Sequence, residues 1–462
     1  MYNHFMESLI NDFINKVINN KKIIHCVGDA MIDEYYDVKI SRISPEYPIP
    51  VMLCKNQFIS KPGGVANVAL QFKFLNSEVK LITFPDSYAY KIFKNNSLEV
   101  ITNDYVEAKL PVKRRFLDND VQVAPRLDLE FPDCGLHEVE QNLIHGINQK
   151  IISNIDKPDV AILSDYDKGF FKNQNYVNLY KKLNVKTIVD PKVGNLSKWK
   201  YCSIFKPNKN EARILSGYDD WKKQSNYFYR HLKCEAVIIT DAGNGIRGIY
   251  KNKFFEYNTP STKDVKSVIG AGDCFASYLS SAIAHGFNPL EAAKIAYHAG
   301  LIYVSKSANT PISLLELSDK KFVSPELLIS RDFKLVFTNG CFDILHPGHI
   351  ETLAFAKSKG DKLVVALNSD ASIKKIKGDS RPILNLSDRI KMLSSINCVD
   401  YIVSFEEETP SDIINIIRPN VLVKGGDYNQ NNIVGADLVN EVYFSKYHEG
   451  HSTTHLIDKV KS

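Results

Sequence analysis

The stretch SVIGAGDCF, residues 267–275, sets three small residues, Gly270, Ala271 and Gly272, before Asp273 and then runs on into apolar residues. Small residues let a backbone approach a phosphate closely, and a helix that follows presents unpaired N–H groups and the positive end of its dipole to an anion. Asp273 then stands at the helix start, where its carboxylate can take a proton from a hydroxyl as that oxygen attacks phosphorus. A simple turn with an N-capping aspartate accounts for the same residues. The surrounding chain decides between the two.

Upstream, from residue 22 to about 310, apolar β-branched runs alternate with helical patterns: KIIHCVG, VAILSD, TIVDP and AVIITDA each end in Gly, Asp or Pro. That rhythm predicts βαβ units and a parallel sheet whose ligands sit at the carboxyl ends of its strands. Two segments, roughly 36–60 and 100–130, read instead as antiparallel strands of a small accessory sheet over the site. Polar and Pro-containing residues at 312–332 then break the series, which restarts with FKLVFTNG and continues through KLVVALNSD, CVDYIVSF and PNVLVKGGD. At 462 residues the chain exceeds what one core supports. Domains are expected at 1–318 and 333–462, joined by a linker at 319–332.

A net charge of +5, with 44% hydrophobic and 24% charged residues, fits a globular protein and gives no sign of nucleic-acid binding. No run approaches the ~18 apolar residues of a membrane span, and the start lacks a signal-peptide core. A cytoplasmic protein with no membrane partner is expected. Eight cysteines show no CxxC pair, so they read as reduced, buried small hydrophobes, and no structural zinc site is expected.

Three more motifs share the first half with GAGD. KPGGVANVA places Gly63 and Gly64 before Asn67, whose amide suits sugar hydroxyls; VGDAMIDEY places Asp29 and Asp33 just after the first strand, again suited to a polyol. KPNKNEA spaces Asn208 and Glu211 on one side of a helix turn, where Glu211 could act through a water of Mg2+ on nucleotide phosphates. Capped helices and turns explain each alone. Together and in this order they resemble the ribokinase-like (PfkB) carbohydrate kinases across about 310 residues. The resemblance implies a three-layer α/β domain with a β-sheet lid, ATP with Mg2+, Asp273 as base beside Gly270, Ala271 and Gly272, and Asn208–Glu211 and Asp241–Gly245 near the nucleotide. It assigns no protein side chain as a direct metal ligand. Such kinases often carry Asp and Thr where this chain has Ser267 and Ile269, positions that help hold a monovalent cation, so K+ activation is left open. The lid and nearby loops carry Arg42, Lys61, Lys113, Arg114, Arg115 and Arg126, a cluster suited to a substrate that already bears a phosphate, with a solvated face as the plain alternative. Arg114, Arg115 and Arg126 are the ones assigned to substrate. Asp165 and Lys168 in LSDYDKG face the same cleft.

In FTNGCFDILHPGHIETL a strand ends at Thr338, Asn339 and Gly340, and a helix begins near Pro347. His346 and His349 then share one face of the helix start, where two imidazoles and free amides can hold ATP phosphates and stabilise a pentavalent phosphorus. HPGH matches the HxGH signature of the nucleotidyltransferase superfamily, and 333–462 resembles cytidylyltransferase-like enzymes, a smaller Rossmann-like domain. Thr338, Gly340, Phe342, Asp343, Lys377, Arg381, Arg389, Lys424, Asp427, Ser452, Thr453 and Thr454 are assigned to its nucleotide or phosphates. With SRISPEYPIPV, LSDYDKG, GDSRPI and LVKGGDY, nearly the whole chain resembles the bifunctional heptose kinase/adenylyltransferases of Gram-negative bacteria. That resemblance implies sugar phosphates and ATP as substrates and ADP-heptose for lipopolysaccharide core as the product. A homodimer through the lid is expected. A pair acting on another sugar phosphate or with another nucleotide stays open.

Overall fold

The structure is a computed structural model that describes residues 2–55, 58–101, 109–119, 121–130, 148–149, 151, 157–172, 175–258, 265–306, 309–318, 320–425 and 433–445. Two compact units divide between Ile312 and Ser313. Among the described residues the first holds a nine-stranded sheet in the order Lys253–Tyr257, Ile246–Tyr250, Ala236–Thr240, Ile204–Phe205, Lys186–Asp190, Val160–Ser164, Lys22–Gly28, Ser77–Ile82, Glu99–Ile101. The strands from Ala236–Thr240 to Glu99–Ile101 run parallel, and the remaining two form an antiparallel edge. Val160–Ser164 is buried at every position, as a parallel strand covered on both faces requires.

Chain order explains where the cleft lies. The sheet grows one way from Lys22–Gly28 to Glu99–Ile101 and then the other way from Val160–Ser164, so the order reverses where Gly28 pairs with Ser164. Ligands of open α/β sheets bind at such a reversal, outside the carboxyl ends of the strands. Asp29 follows one of these two strands; Asp165 and Tyr166 follow the other.

The accessory sheet is built on the long strand Ala30–Ile43, which pairs antiparallel with Pro50–Cys54 and Ile59–Gly64. Its pairing with Val112–Asp118 is parallel, in contrast to the antiparallel expectation. The chain between them passes through two strands of the main sheet, and that crossover brings it back in the same direction.

The second unit has five parallel strands among its described residues, in the order Tyr401–Phe405, Lys362–Asn368, Leu335–Gly340, Val421–Lys424, Glu441–Phe444. Here the reversal falls between Leu335–Gly340 and Val421–Lys424. Leu363, Val365, Val336, Val421 and Val423 lie in one buried apolar cluster with Leu353, Leu393 and Ile402.

Residues 320–332, read from sequence as part of a linker, hydrogen-bond to this unit. Val323 N donates to Ile402 O, Ile402 N donates to Lys321 O, and Lys321 Nζ donates to Ile396 O. Arg331 donates to Ile417 O and Arg418 O at 2.8 and 2.5 Å. A fragment starting at Ser313 is therefore expected to melt at least ~5 °C above one starting at Phe333, since several hydrogen bonds at ~1 kcal/mol each shift Tm by a few degrees apiece. Equal melting curves by circular dichroism would show that these residues add nothing to the second unit.

Candidate active sites

At the first reversal, Gly270 caps the helix Ala271–Ala284 in the left-handed region, at φ 81°. A Cβ there would stand 2.4 Å from the Tyr303 hydroxyl, 2.7 Å from Asn309 Oδ1 and 2.9 Å from Asn67 Nδ2, so only glycine fits. Gly272 meets nothing within 4 Å, leaving open space above the first helical amides, where an anion would sit.

Asp273 follows on the first turn. Asn67 Nδ2 donates to its Oδ2 at 2.5 Å, and the Tyr166 hydroxyl donates to its Oδ1 at 2.5 Å. Burial raises the carboxyl above the ordinary aspartate range, with the Tyr166 and Asn67 donors pulling the other way. Asn67 is itself buried on the short helix Val65–Leu70, and Gln71 Nε2 donates to its Oδ1 at 3.2 Å. Its amide thus holds the Asp273 carboxylate. Gly63 and Gly64 serve the approach of Ile59–Gly64 to Ala30–Ile43, because a Cβ on Gly64 would lie 2.4 Å from Asp29 O.

Asp29 organises the next loop. Its carboxylate accepts from Tyr166 N, Lys168 N and Phe170 N at 2.9, 3.2 and 2.9 Å. Burial raises it to about 6, against those three amide bonds. Lys198 Nζ holds Asp165 at 2.7 Å, and Lys168 Nζ reaches Glu130 at 2.6 Å.

Half of the basic cluster is paired with carboxylates. Arg115 donates to Asp33 at 2.5 Å, Arg114 to Glu34 at 2.8 Å, and Arg126 makes two 2.6 Å bonds to Asp128. Lys113 differs. Among the described residues its ammonium has no hydrogen-bond or ion-pair partner and lies 5.6 Å over the Tyr166 ring, while burial lowers it below the ordinary lysine range. Asn208 and Glu211 form a reciprocal capping box at 2.9 and 3.0 Å on the helix Lys209–Ser216. Lys192 Nζ reaches the second Glu211 oxygen at 3.3 Å. Asp241 is paired with Lys209 and Arg247, and Gly245 takes φ 99° in the turn behind it.

At the second reversal, His346 caps the helix Pro347–Lys357 and stacks on His349, with ring centroids 3.7 Å apart. Phe342, buried at φ 44°, packs on His349 at 4.9 Å, and its ring lies 3.0 Å from where a Cβ on Gly340 would stand. Burial, then the charges of His346 and Lys377, lower His349 to about 4, so it is neutral at neutral pH. Lys424 donates to Asn339 Oδ1 at 2.5 Å across the reversal, and burial lowers it to about 8. Thr338 is buried in its strand.

Two of the other assigned residues, Asp343 and Arg389, have their polar atoms engaged within the protein. Asp343 accepts from Ile383 N and Leu384 N, both at 2.9 Å, and pairs with Arg381 at 2.8 Å. Arg389, with no exposure, donates to Leu384 O, Cys341 O and Asp370 Oδ1 at 3.1, 2.8 and 2.7 Å. Asp427, Ser452, Thr453 and Thr454 lie outside the described residues.

Residues 171–314 match the pfkB family carbohydrate kinases, and residues 337–456 match the cytidylyltransferase-like family. Bifunctional protein HldE of Hydrogenovibrio crunogenus is 33% identical over 96% of this chain and 97% of its own length. HldE of Helicobacter acinonychis is 35% identical over 94% and 98%. The chain belongs to the bifunctional HldE family. HldE membership makes it a heptose kinase and adenylyltransferase, with the kinase in the first unit. The HldE kinase unit also shares its fold with a carbohydrate kinase from Agrobacterium tumefaciens (18% identity, TM-score 0.51, 64% of this chain and 95% of that one). Phosphofructokinase-2 from Escherichia coli in complex with fructose-6-phosphate gives 16% and 0.52 over 64% and 96%.

The two positions that help hold a monovalent cation in such kinases lack the usual side-chain oxygens in this chain. Ser267 Oγ accepts from Ile269 N at 3.2 Å, Ile269 offers no side-chain oxygen, and Val304 O already accepts from Lys266 N and Ser267 N. Sequence reading named Asp165 and Lys168 but missed Tyr166 between them, although its strand-end position in LSDYDKG was visible. It also missed Asn309, which donates to Asp33 Oδ2 and the Tyr35 hydroxyl from a stretch with no motif.

Arg389→Ala is expected to lower the stability of the second unit by ~3 kcal/mol or more, because it leaves two carbonyls unpaired and opens a cavity. Lys377→Ala should leave Tm unchanged and lower adenylyl transfer. Thermal melts with activity assays check both; a stable Arg389→Ala with raised KM for ATP would make Arg389 a nucleotide ligand.

Proposed function

We propose that the first unit transfers the γ-phosphoryl group of ATP to O1 of D-glycero-D-manno-heptose 7-phosphate. The second unit then joins heptose 1-phosphate, freed of its 7-phosphate by a separate phosphatase, to the AMP moiety of ATP, releasing pyrophosphate. The observation that carries the kinase step is the doubly hydrogen-bonded Asp273 at a helix start whose next residue, Gly272, faces open space. Asp273 takes the O1 proton as that oxygen bonds to the γ-phosphorus and the bond to ADP breaks. Mg2+ would neutralise phosphate charge when bound with ATP, and the buried Glu211 carboxylate, held by Asn208 N and Lys192, would suit an outer position through water, since hard oxygen donors match that ion.

Lys113 supports a substrate that carries a phosphate. Its ammonium is half-removed from water, and the nearby Asp33 and Asp128 carboxylates are themselves paired with Arg115 and Arg126, so an arriving anion is favoured. In the second unit, neutral His349 offers an N–H donor, with His346 stacked on it, while Lys424 and Lys377 supply charge, an arrangement suited to a departing pyrophosphate. The sugar phosphate brings its own nucleophile.

The lid supports a homodimer. Ile43, Leu53 and Ile59 on its strands, and Ile49 just before Pro50–Cys54, are each more than half exposed, an apolar face that a second copy would cover. No helix among the described residues is long and apolar enough to cross a membrane, and both substrates are those of a cytoplasmic enzyme.

Asp273→Asn should lower heptose 7-phosphate phosphorylation ~10²–10⁴-fold and leave adenylylation of supplied heptose 1-phosphate intact. His346→Ala should do the reverse. Mass spectrometry of products with a panel of nucleotides and sugar phosphates reads both steps, and turnover confined to another sugar or nucleotide would replace the heptose assignment. Lys113→Ala should raise KM for heptose 7-phosphate ~10-fold or more with little change for a non-phosphorylated analogue. An equal effect on both would remove Lys113 from the phosphate. Replacing K+ by tetramethylammonium should leave the kinase rate within about twofold, since the cation oxygens are engaged; a loss of rate would restore the cation site.

A further inference from the structure

Tyr166 stands between three features of the kinase cleft. Its backbone N–H is fixed on Asp29 Oδ2 at 2.9 Å, its ring lies under the Lys113 ammonium at 5.6 Å, and its hydroxyl ends on Asp273 Oδ1 at 2.5 Å. We propose that Tyr166 is a positioning residue for the kinase base, its hydroxyl setting the orientation and the proton affinity of the Asp273 carboxylate. This rests on Asp273 being the base.

A carboxylate has about four lone-pair sites, two on each oxygen. Asn67 occupies one on Oδ2 and Tyr166 one on Oδ1, so each oxygen is oriented by one donor and keeps one site for an incoming hydroxyl. The phenol stays a donor throughout. Burial and the neighbouring Asp273 charge push it well above the ordinary tyrosine range, so it does not compete as a base.

The same bond matters for the working pH. Burial favours the neutral acid at Asp273, and so does the charge of Asp33; Tyr166, Asn67 and the Lys206 ammonium favour the carboxylate. Asp190, Cys274, Tyr35 and Tyr303 also face it. Removing one of the two direct donors therefore raises Asp273. A base works in its charged form, so activity is full above its pKa and is lost as pH falls through it. A raised pKa moves the acid limb of the rate profile to higher pH.

A purely architectural role makes a different demand. The tether to Asp29 runs through the Tyr166 backbone, and the stacking under Lys113 uses the ring; phenylalanine keeps both. Tyr166→Phe in the full chain thus isolates the hydroxyl.

The experiment is the pH dependence of kcat and kcat/KM for heptose 7-phosphate phosphorylation, with adenylyl transfer by the same chain as a control of integrity. For Tyr166→Phe the acid limb should move up by about one pH unit and kcat at neutral pH fall ~10-fold, with KM for the sugar within about threefold. Replacing Tyr166 by 3-fluorotyrosine, nearly isosteric and a stronger donor, should move the limb the other way, and it carries the test if the phenylalanine variant does not fold. Asp273→Asn is measured alongside. Substantial kinase activity in that variant would remove the base assignment itself. An inactive Asp273→Asn together with an unmoved limb in the Tyr166 variants, or a loss seen only in KM, would overturn the role of Tyr166.

Discussion

The absence of a side chain at Gly270 is the constraint on which the kinase cleft depends. The space a Cβ would take is filled by the Tyr303 hydroxyl and the amides of Asn309 and Asn67, and each of these reaches something the chemistry needs. Asn67 holds Asp273; Asn309 holds Asp33; Tyr303 accepts from Asn309 N and donates to Ile269 O just before the turn. Through Asp33 and its pairing with Arg115, the accessory sheet is tied to the same point. A larger residue at 270 would push apart Asp273, the glycine turn and the lid together.

Charge in this cleft is arranged so that little of it is idle. Arginines that looked like a positive field in sequence are matched one by one with Asp33, Glu34 and Asp128, so they stiffen the lid strands more than they attract an anion. Lys113, over the Tyr166 ring, has no hydrogen-bond or ion-pair partner among the described residues. A partly desolvated ammonium gives more discrimination than a diffuse basic surface, because its interaction with a phosphate is weakly screened.

How much of this was legible in sequence depends on whether a residue acts through its own strand end or through a distant partner. GAGD, HPGH, and the parallel strands ending in Gly or Asp all follow from local pattern, and both units carry them where the strand order reverses. Asn67 was visible as a polar residue in a small-residue helix, but its partner lies 206 positions on, so nothing local tells a sugar ligand from a clamp on the base. The arginines at 114 and 115 failed to reveal their carboxylates for the same reason: the pairing is set by the parallel register of Glu34 with Arg114 and Tyr35 with Arg115 across a long crossover. Arg389 and Asp343 look like ligands in sequence because charged residues near a phosphate motif usually are, whereas here they close the loop against the helix Leu386–Ser394.

The two units place their chemistry at the same topological position yet solve different problems of protonation. A sugar hydroxyl must lose a proton to become a nucleophile, so the first unit invests in a carboxylate whose basicity is balanced between burial and two donors. A sugar phosphate is already an anion and needs no comparable base to become a nucleophile. The second unit has a neutral His349 packed between His346 and Phe342, and a buried lysine across the strand reversal. A neutral His349 can bond a phosphate oxygen without binding it so tightly that pyrophosphate cannot leave, while the lysines carry the charge that grows as it departs. The acid sensitivity of the two halves should therefore come from different groups, a carboxylate in one and a histidine stack in the other, although the sheets that present them are built on the same plan.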